Sequence, residues 1–307
     1  MKLTPVTPAD ISRSVWSVPP LAIAADGRID DAMNARLVGH IEAGGVSTLL
    51  WGGNANVYGM PHARFAELVE KIPEWVSEDA WAIPSVGPDY GKLMDHAAML
   101  KHTRFPAAMA LPYAGPRDPG GIEQALRDFT QAVGMPLILY VRAANYLPPE
   151  RIAALLEEGT LVAVKYAVET GDLTRDDYLD ALRRVVPLER CVSGIGEIAA
   201  IPHLRTFGLA GFTAGAVCIA PRRAMAVLHA LQAGDYDRAQ TLTTAIEALE
   251  ALRGQYGPIP VIHDAVTLSG VADMGALGPH FSALDASVKE KIGSAARALL
   301  ERETEFE

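Results

Sequence analysis

The segment LVAVKYAV, residues 161–168, carries one lysine inside a run of small and β-branched apolar residues. Short apolar runs of this kind are typical of strands that are buried on both faces of a parallel sheet. Lysine is almost never fully buried unless it is paired or has a chemical function, and no other lysine lies between Lys101 and Lys289. The segment therefore predicts a buried strand and indicates Lys165 as a candidate functional residue.

Seven further apolar runs of similar length flank this segment, and amphipathic stretches separate them. They cover residues 14–21, 46–51, 81–87, 105–113, 136–141, 190–194 and 209–215. Repeated βα units predict a parallel sheet, and eight of them close naturally into a (β/α)8 TIM barrel. The alternative is an open doubly wound sheet, which commonly has a G-x-G-x-x-G turn after its first strand. The first run instead ends in PPLAIAADG, residues 19–27, with no such glycine motif after it, so the barrel is favoured.

The pattern becomes mainly helical after residue 222. We therefore expect a barrel formed by residues 1–224 and a C-terminal helical extension, residues 225–307, that packs on it. No low-complexity linker separates the two parts.

Composition narrows the class of protein. The chain has 307 residues, is 50% hydrophobic and has a formal net charge of −10. An acidic protein is a poor partner for nucleic acid or an anionic membrane. With only two cysteines, no secretory leader and no apolar run long enough to span a bilayer, we expect a cytoplasmic globular protein.

Alternation along the strands predicts where the lysine points. If Lys165 faces the barrel interior near the C-terminal end of the sixth strand, Tyr140 occupies the equivalent position on the fifth. Active sites of such barrels lie at this end. A buried amine loses proton affinity and becomes a nucleophile that can attack the ketone of a 2-oxo acid, and a nearby tyrosine can transfer the protons. The alternative is a structural lysine with a buried stem and a solvated head.

Segments around these residues resemble, in chain order, the dihydrodipicolinate synthase and N-acetylneuraminate lyase family of Schiff-base aldolases. The similar segments are GHIEAGGVSTLLWGGNANVYGM (39–60), ALPYAGP (110–116), LILYV (137–141), VAVKYA (162–167) and GLAGFTAGAVCIAP (208–221). The resemblance implies a (β/α)8 barrel with a helical extension, Lys165 as the Schiff-base lysine and Tyr140 as the strand-five tyrosine. It also implies that Thr213, in the last segment, contacts substrate, and that the chain forms a homo-oligomer, a tetramer or a dimer.

The chain departs from the family at the proton relay. The pyruvate-binding loop of the family is usually Gly-Thr-Thr-Gly-Glu, whereas residues 52–56 read GGNAN. Gly53 replaces the relay threonine, while Asn54 can substitute for one hydroxyl and the loop N–H groups can still bind a carboxylate. The tyrosine that family members contribute across a dimer interface aligns with Ala114, which leaves Tyr113 as a candidate replacement.

The residues expected to contact the end of the substrate far from the lysine also differ from the family. The arginine that holds a substrate carboxylate in true dihydrodipicolinate synthases aligns with Asn145, and Arg142 lies nearby in a different register. The segment SGIGE, residues 193–197, resembles the loop whose acidic residues contact substrate hydroxyls in sialic-acid-type members. Glu197 matches the final acid of that loop, and Gly196 replaces the other. The alternative for Glu197 is a solvated charge at a helix N-terminus.

These observations favour a lyase, an aldolase or a dehydratase, that acts on a hydroxylated 2-oxo acid and is not a true dihydrodipicolinate synthase. The proposed substrate-binding residues are Gly53, Asn54, Tyr113, Arg142, Glu197 and Thr213. No cofactor and no metal are expected, since the histidines lack the spacing of metal ligands. The main alternative is a 2-oxo-acid binding or regulatory protein that kept the barrel and lost efficient catalysis, as the missing relay hydroxyls suggest.

Overall fold

The structure, a computed structural model, describes residues 1–306 and contains a closed barrel of eight parallel strands in sequential order. The strands are β1 (Trp16–Ser17), β2 (Thr48–Trp51), β3 (Trp81–Val86), β4 (Ala108–Ala110), β5 (Leu137–Val141), β6 (Leu161–Tyr166), β7 (Cys191–Ser193) and β8 (Gly211–Ala214). β8 pairs with β1 and closes the barrel. The predicted (β/α)8 fold is confirmed.

Helices follow the strands and continue beyond the barrel. They are α1 (Pro8–Ser12), α2 (Asp31–Ala43), α3 (His62–Trp75), α4 (Tyr90–Leu100), α5 (Pro119–Val133), α6 (Pro149–Glu157), α7 (Asp177–Leu182), α8 (Glu197–Pro202), α9 (Pro221–Gln232), α10 (Tyr236–Thr243), α11 (Glu247–Tyr256), α12 (Pro258–Ser269) and α13 (Ala286–Glu301). Short 3-10 turns lie at Val57–Gly59, Leu188–Arg190, Ala216–Cys218 and Arg302–Phe306, and a π-helical turn at His203–Phe207.

Each of the eight apolar runs contains a strand, but two of these strands are much shorter than their runs. β1 has two residues and β4 has three. Proline accounts for part of the difference, because it has no N–H to donate to a ladder and usually limits strand pairing, although β3 accommodates Pro84. The first run contains Pro19 and Pro20, and the fourth contains Pro106 and Pro112.

The helix ends follow local signals in the sequence. α5 begins after Asp118, whose carboxylate accepts a hydrogen bond from the N–H of Gly121, and Pro119 occupies its first position. It ends at Gly134, whose φ of 74° is left-handed. Such caps satisfy backbone groups that the helix itself leaves unpaired.

The last barrel helix spans the expected domain boundary. α9 contacts both α8 and α2, so it closes the helix layer around the barrel and continues to Gln232. The boundary expected at residues 224 and 225 therefore falls inside this helix.

Helices α10 to α13 form the extension, and part of it covers the mouth of the barrel. Ile262 of α12 lies so close to Gly215, just after β8, that a Cβ at this glycine would meet it at 3.0 Å. α11 packs against α12 and α13. The extension therefore approaches the barrel at the C-terminal ends of its strands.

None of the helices in residues 1–306 combines the length and the apolar character that crossing a bilayer requires.

Candidate active site

Lys165 and Tyr140 are brought together at the C-terminal ends of neighbouring strands. They are direct register partners in the β5–β6 pair. Lys165 is only 5% exposed, and its Nζ lies 3.9 Å from the centroid of the Tyr140 ring. The alternation of side chains along the strands thus predicted this placement correctly.

The surroundings of Lys165 favour its neutral amine. Burial lowers the pKa of the amine, and the positive charges of Arg142 and Arg253 lower it further, while Tyr140 partly opposes the shift. A lower pKa leaves a larger fraction of the amine unprotonated near neutral pH, which is the form that attacks a carbonyl.

Lys165 lies in a cavity of about 340 Å³ at the barrel mouth. Six of the eight residues that the sequence indicated line it: Lys165, Tyr140, Gly53, Asn54, Arg142 and Thr213. The Arg142 guanidinium lies 3.9 Å from the carboxylate of Glu169, which also lines the cavity, and both side chains are largely exposed. The volume is suited to a small organic molecule.

Tyr113 lies elsewhere. It lines a separate cavity of about 510 Å³ between residues of α4 and α5, together with Tyr146. The backbone N–H of Tyr113 donates a hydrogen bond of 3.2 Å to the Tyr146 hydroxyl. The loop after β4 therefore carries Tyr113 toward α4 and α5 and not into the cavity that contains Lys165.

Glu197 also lies outside the cavity lining. It is the first residue of α8, and its side chain is fully buried rather than projecting from a mouth loop. Burial and the neighbouring charge of Glu250 raise its pKa to about 8, although Arg253 opposes this. The expected position at the mouth is wrong, because α8 begins directly after Gly196 and turns the side chain into the protein.

The loop after β2, which the sequence predicts to bind a carboxylate, lies at the cavity wall. Gly53 and Asn54 both line the cavity, and the Asn54 amide donates a hydrogen bond of 2.7 Å to the carbonyl of Val18. This bond ties the loop to the segment after β1. A Cβ at Gly53 would meet no atom within 4 Å, so the space of the missing relay threonine is open.

Three further residues that line the cavity were missed by the sequence analysis: Tyr58, Glu250 and Arg253. Tyr58 lies in the 3-10 turn after the carboxylate loop. Burial raises the pKa of its phenol, Tyr140 raises this pKa further and Arg142 opposes the rise, so the three side chains are neighbours. Proximity in sequence to the carboxylate loop was the available signal for Tyr58. Glu250 and Arg253 come from α11, and no local pattern indicates where an extension helix packs.

The residues that the structure describes include no group of three or more His, Cys, Asp and Glu side chains that could hold a metal ion.

Comparisons with known proteins agree with this geometry. The family model described as dihydrodipicolinate synthetase family matches residues 13–299. The chain is 26% identical over 279 residues to a 4-hydroxy-tetrahydrodipicolinate synthase of Nostoc punctiforme, which covers 87% of this chain and 91% of the relative. It is 24% identical over 225 residues to a Streptomyces coelicolor protein named "Probable 5-dehydro-4-deoxyglucarate dehydratase 1", covering 71% of this chain and 70% of the relative.

Solved structures share the fold. The dihydrodipicolinate synthase of Bacillus clausii superimposes with a TM-score of 0.83 at 23% identity, covering 94% of this chain and 98% of that one. The enzyme of Oceanobacillus iheyensis gives a TM-score of 0.82 at 18% identity, with 95% and 98% covered. Because the family model spans nearly the whole chain, the chain belongs to the dihydrodipicolinate synthetase family, as a divergent member of this group of class I aldolase-type lyases.

Proposed function

We propose that this enzyme forms a Schiff base between Lys165 and a hydroxylated 2-oxo acid, and that Tyr140 transfers the protons. The observation that carries the proposal is the buried amine of Lys165, which has a lowered pKa and lies against Tyr140 at the end of an open cavity. A buried lysine without a carboxylate partner is costly, and a nucleophilic role accounts for it.

The reaction begins when the neutral amine attacks the ketone carbon, and loss of water from the adduct gives an iminium. In cleavage, a base takes the proton of the C4 hydroxyl, the C3–C4 bond breaks, and its electron pair passes into the enamine. An aldehyde leaves, C3 is protonated, and hydrolysis releases pyruvate and Lys165. In dehydration, C3 loses a proton and C4 loses its hydroxyl as water. Both routes use the same iminium and the same proton carrier.

The 2-oxo acid's carboxylate would bind the loop that carries Gly53 and Asn54, with Thr213 of β8 nearby, since β1 alone separates β8 from β2. All three residues line the cavity, and consecutive backbone N–H groups are suited to bind an anion. This arrangement directs the ketone toward Lys165.

The substrate proposed here differs from that of a true synthase. Asn145, which stands where those enzymes have a carboxylate-binding arginine, is exposed and does not line the cavity. One relative is named as a synthase and the other as a dehydratase. We therefore propose cleavage or dehydration of a hydroxylated 2-oxo acid.

Tyr58 is the proposed replacement for the missing relay hydroxyls. Gly53 and Ala114 supply none, whereas the Tyr58 phenol lies in the cavity near Tyr140 and Arg142. Its raised pKa keeps it protonated at neutral pH, so it can donate a proton to Tyr140 or to the substrate.

Borohydride trapping with pyruvate tests the proposal. Borohydride reduces an iminium to a stable amine, so we expect a mass increase on the peptide that contains Lys165 and none in Lys165→Met. Absence of an adduct with pyruvate and with larger 2-oxo acids would refute the lyase. A second candidate, a binding protein, is favoured by the open space at Gly53; it predicts thermal stabilisation by a 2-oxo acid without turnover.

We also propose that the chain works in the cytoplasm, where its two free cysteines would stay reduced. The family resemblance supports the proposal that it assembles as a homo-oligomer, a dimer or a tetramer.

A further inference from the structure

The extension places a carboxylate beside a glycine at the wall of the cavity. Gly196 lines the cavity and has a φ of 108°, in the region that favours glycine. A Cβ at this position would lie 3.1 Å from Oε2 of Glu250 and 3.4 Å from Nη1 of Arg253. In the sialic-acid-type loop that SGIGE resembles, the position of Gly196 carries an acidic residue. Here the carboxylate of Glu250, from α11, occupies the space beside Gly196.

Glu250 and Arg253 lie three residues apart on one face of α11. They form an ion pair through Oε1 of Glu250. Their side chains are only 13% and 15% exposed, and both line the same cavity as Lys165. The pairing uses one carboxylate oxygen and leaves Oε2 on the side of Gly196. This oxygen is a free acceptor in the cavity wall.

The positive and negative charges in the cavity wall formed by Glu250 and Arg253 balance each other. The buried Glu197 behind it is largely protonated at neutral pH, because burial and Glu250 raise its pKa to about 8. The positive charge of Arg253 is thus compensated by Glu250 alone. At the mouth, the Arg142 charge is likewise accompanied by Glu169 at 3.9 Å.

We infer that Glu250, held by Arg253, binds the hydroxyl groups at the distal end of the substrate, and that this end carries no second carboxylate. This inference rests on the proposed Schiff-base lyase and names the substrate class of the same site. A carboxylate oxygen accepts up to two hydrogen bonds from hydroxyls, and hydroxyl donors to a charged acceptor bind more strongly than neutral pairs. A second substrate carboxylate would instead face Glu250 and be repelled.

The test compares three 2-oxo acids by the concentration that gives half-maximal borohydride trapping. The probes are pyruvate, a six-carbon 2-oxo-3-deoxyaldonic acid that ends in hydroxyls, and the matching aldaric acid that ends in a second carboxylate. In the wild type we expect the aldonic acid to reach half-saturation at a concentration at least tenfold below that of the aldaric acid. Trapping requires no turnover, so it reports binding directly.

The variant Glu250→Gln keeps the shape of the side chain and removes its charge. We expect the half-saturating concentration of the aldonic acid to rise roughly tenfold or more, as for loss of a charge-assisted hydrogen bond. The aldaric acid should bind more tightly than to the wild type, because Arg253 loses its counter-charge. Pyruvate has no distal hydroxyls, so its half-saturating concentration should change less than that of either longer acid.

Two controls accompany this variant. Glu247→Gln makes the same chemical change one turn earlier on α11, at an exposed residue outside the cavity, and should alter none of the three values. Glu250→Asp retains the charge but withdraws it by one methylene, so it should weaken aldonic binding without improving aldaric binding.

The outcomes are distinguishable. If the wild type traps pyruvate but prefers the aldaric acid, or if Glu250→Gln changes all three probes equally, the inference is overturned and the lyase stands. If the wild type traps no 2-oxo acid at all, the proposed function fails and this inference fails with it.

Discussion

At the scale of the residue, Lys165 combines a chemical advantage with a cost in stability. Its buried amine is free of any carboxylate ion pair in the part of the chain that the structure describes. Burial that lowers an amine's pKa also destabilises the folded state, because the unfolded chain binds a proton that the folded chain gives up. The unfavourable contribution of Lys165 to stability should therefore shrink as pH rises toward the ordinary lysine pKa of about 10.4.

The variant Lys165→Met separates these two effects. Methionine fills a similar volume without a charge, so we expect the free energy of unfolding at pH 7 to increase by about 1 kcal/mol or more, while trapping is abolished. The gain should shrink between pH 7 and pH 10. Urea denaturation at several pH values measures it, with the exposed Lys101→Met as control. A loss of stability at pH 7 would contradict the view that Lys165 is retained for its chemistry.

Glu197 shows the opposite dependence on pH. Its pKa rises from the ordinary 4.5 to about 8 in the folded state, so the folded chain holds a proton that the unfolded chain releases between these values. The contribution of Glu197 to stability should therefore fall as pH rises from about 4.5 to about 8. Glu197→Gln should remove this slope and stabilise the protein at pH 8 by a few kcal/mol, roughly, while at pH 4.5 it should change little. Denaturation curves at both pH values check this; equal effects would contradict it.

Tyr58 and Tyr113 are the two candidates for the missing relay hydroxyl, and only Tyr58 lines the cavity with Lys165. We expect Tyr58→Phe to lower the turnover of a cleavable 2-oxo acid by about 10²-fold, with little change in the half-saturating concentration, since a general acid acts on the transition state. Tyr113→Phe is the matched control and should leave turnover unchanged. A larger effect of Tyr113→Phe would move the relay to the other cavity or to a subunit interface.

At the scale of the element, the periodicity of apolar residues predicted the features that are set by residues close together in the sequence. The eight strands and the register of Tyr140 against Lys165 follow from local patterns of apolar residues. The lengths of β1 and β4 differ from the apolar runs because proline limits strand pairing even where hydrophobicity continues. Glu197 was misplaced for a related reason, because one turn of helix decides which way its side chain points.

The residues contributed by α11 lay beyond this kind of reasoning. Glu250 and Arg253 reach the cavity only because the extension packs against the barrel mouth, about 85 residues after Lys165 in sequence. A charged pair three residues apart on a helix is usually solvated, and nothing local distinguishes this one. Packing between parts of the chain that are distant in sequence therefore places Glu250 and Arg253 in the site, and local sequence patterns do not predict it.

The contact between α2 and α9 offers a test at the same scale. Gly44, at the end of α2, is buried against Pro221 at the start of α9, and a Cβ there would lie 2.9 Å from the backbone nitrogen of Arg222. Gly44→Ala should destabilise the protein by about 1–3 kcal/mol through overpacking. The control Gly39→Ala lies in the same helix with open space around it, and should stabilise it by about 0.5–1 kcal/mol. Chemical denaturation gives both values; the same sign for both would contradict the close approach.

At the scale of the whole molecule, the residues proposed for the chemistry and those proposed for selectivity belong to different parts of the chain. Lys165 and Tyr140 belong to the barrel, whereas Glu250 and Arg253 belong to the extension. Changes in α11 can therefore alter the accepted substrate without touching the lysine or the strands that hold it. This separation is consistent with a fold on which one chemistry is adapted to many substrates by its surrounding segments.

The residues that line the cavity of a single chain also lead to a prediction about assembly. Ala114 supplies no hydroxyl to a neighbouring subunit, and one chain by itself brings Lys165, Tyr140 and the loop at Gly53 to the same cavity. We therefore expect pyruvate trapping per chain to stay constant when an oligomer is diluted until it dissociates into single chains of 32.8 kDa. Light scattering gives the mass at each concentration, and mass spectrometry gives the trapped fraction of the same sample. A trapped fraction that falls in step with the mass would show that a subunit interface, and not the single chain, completes the site around Lys165.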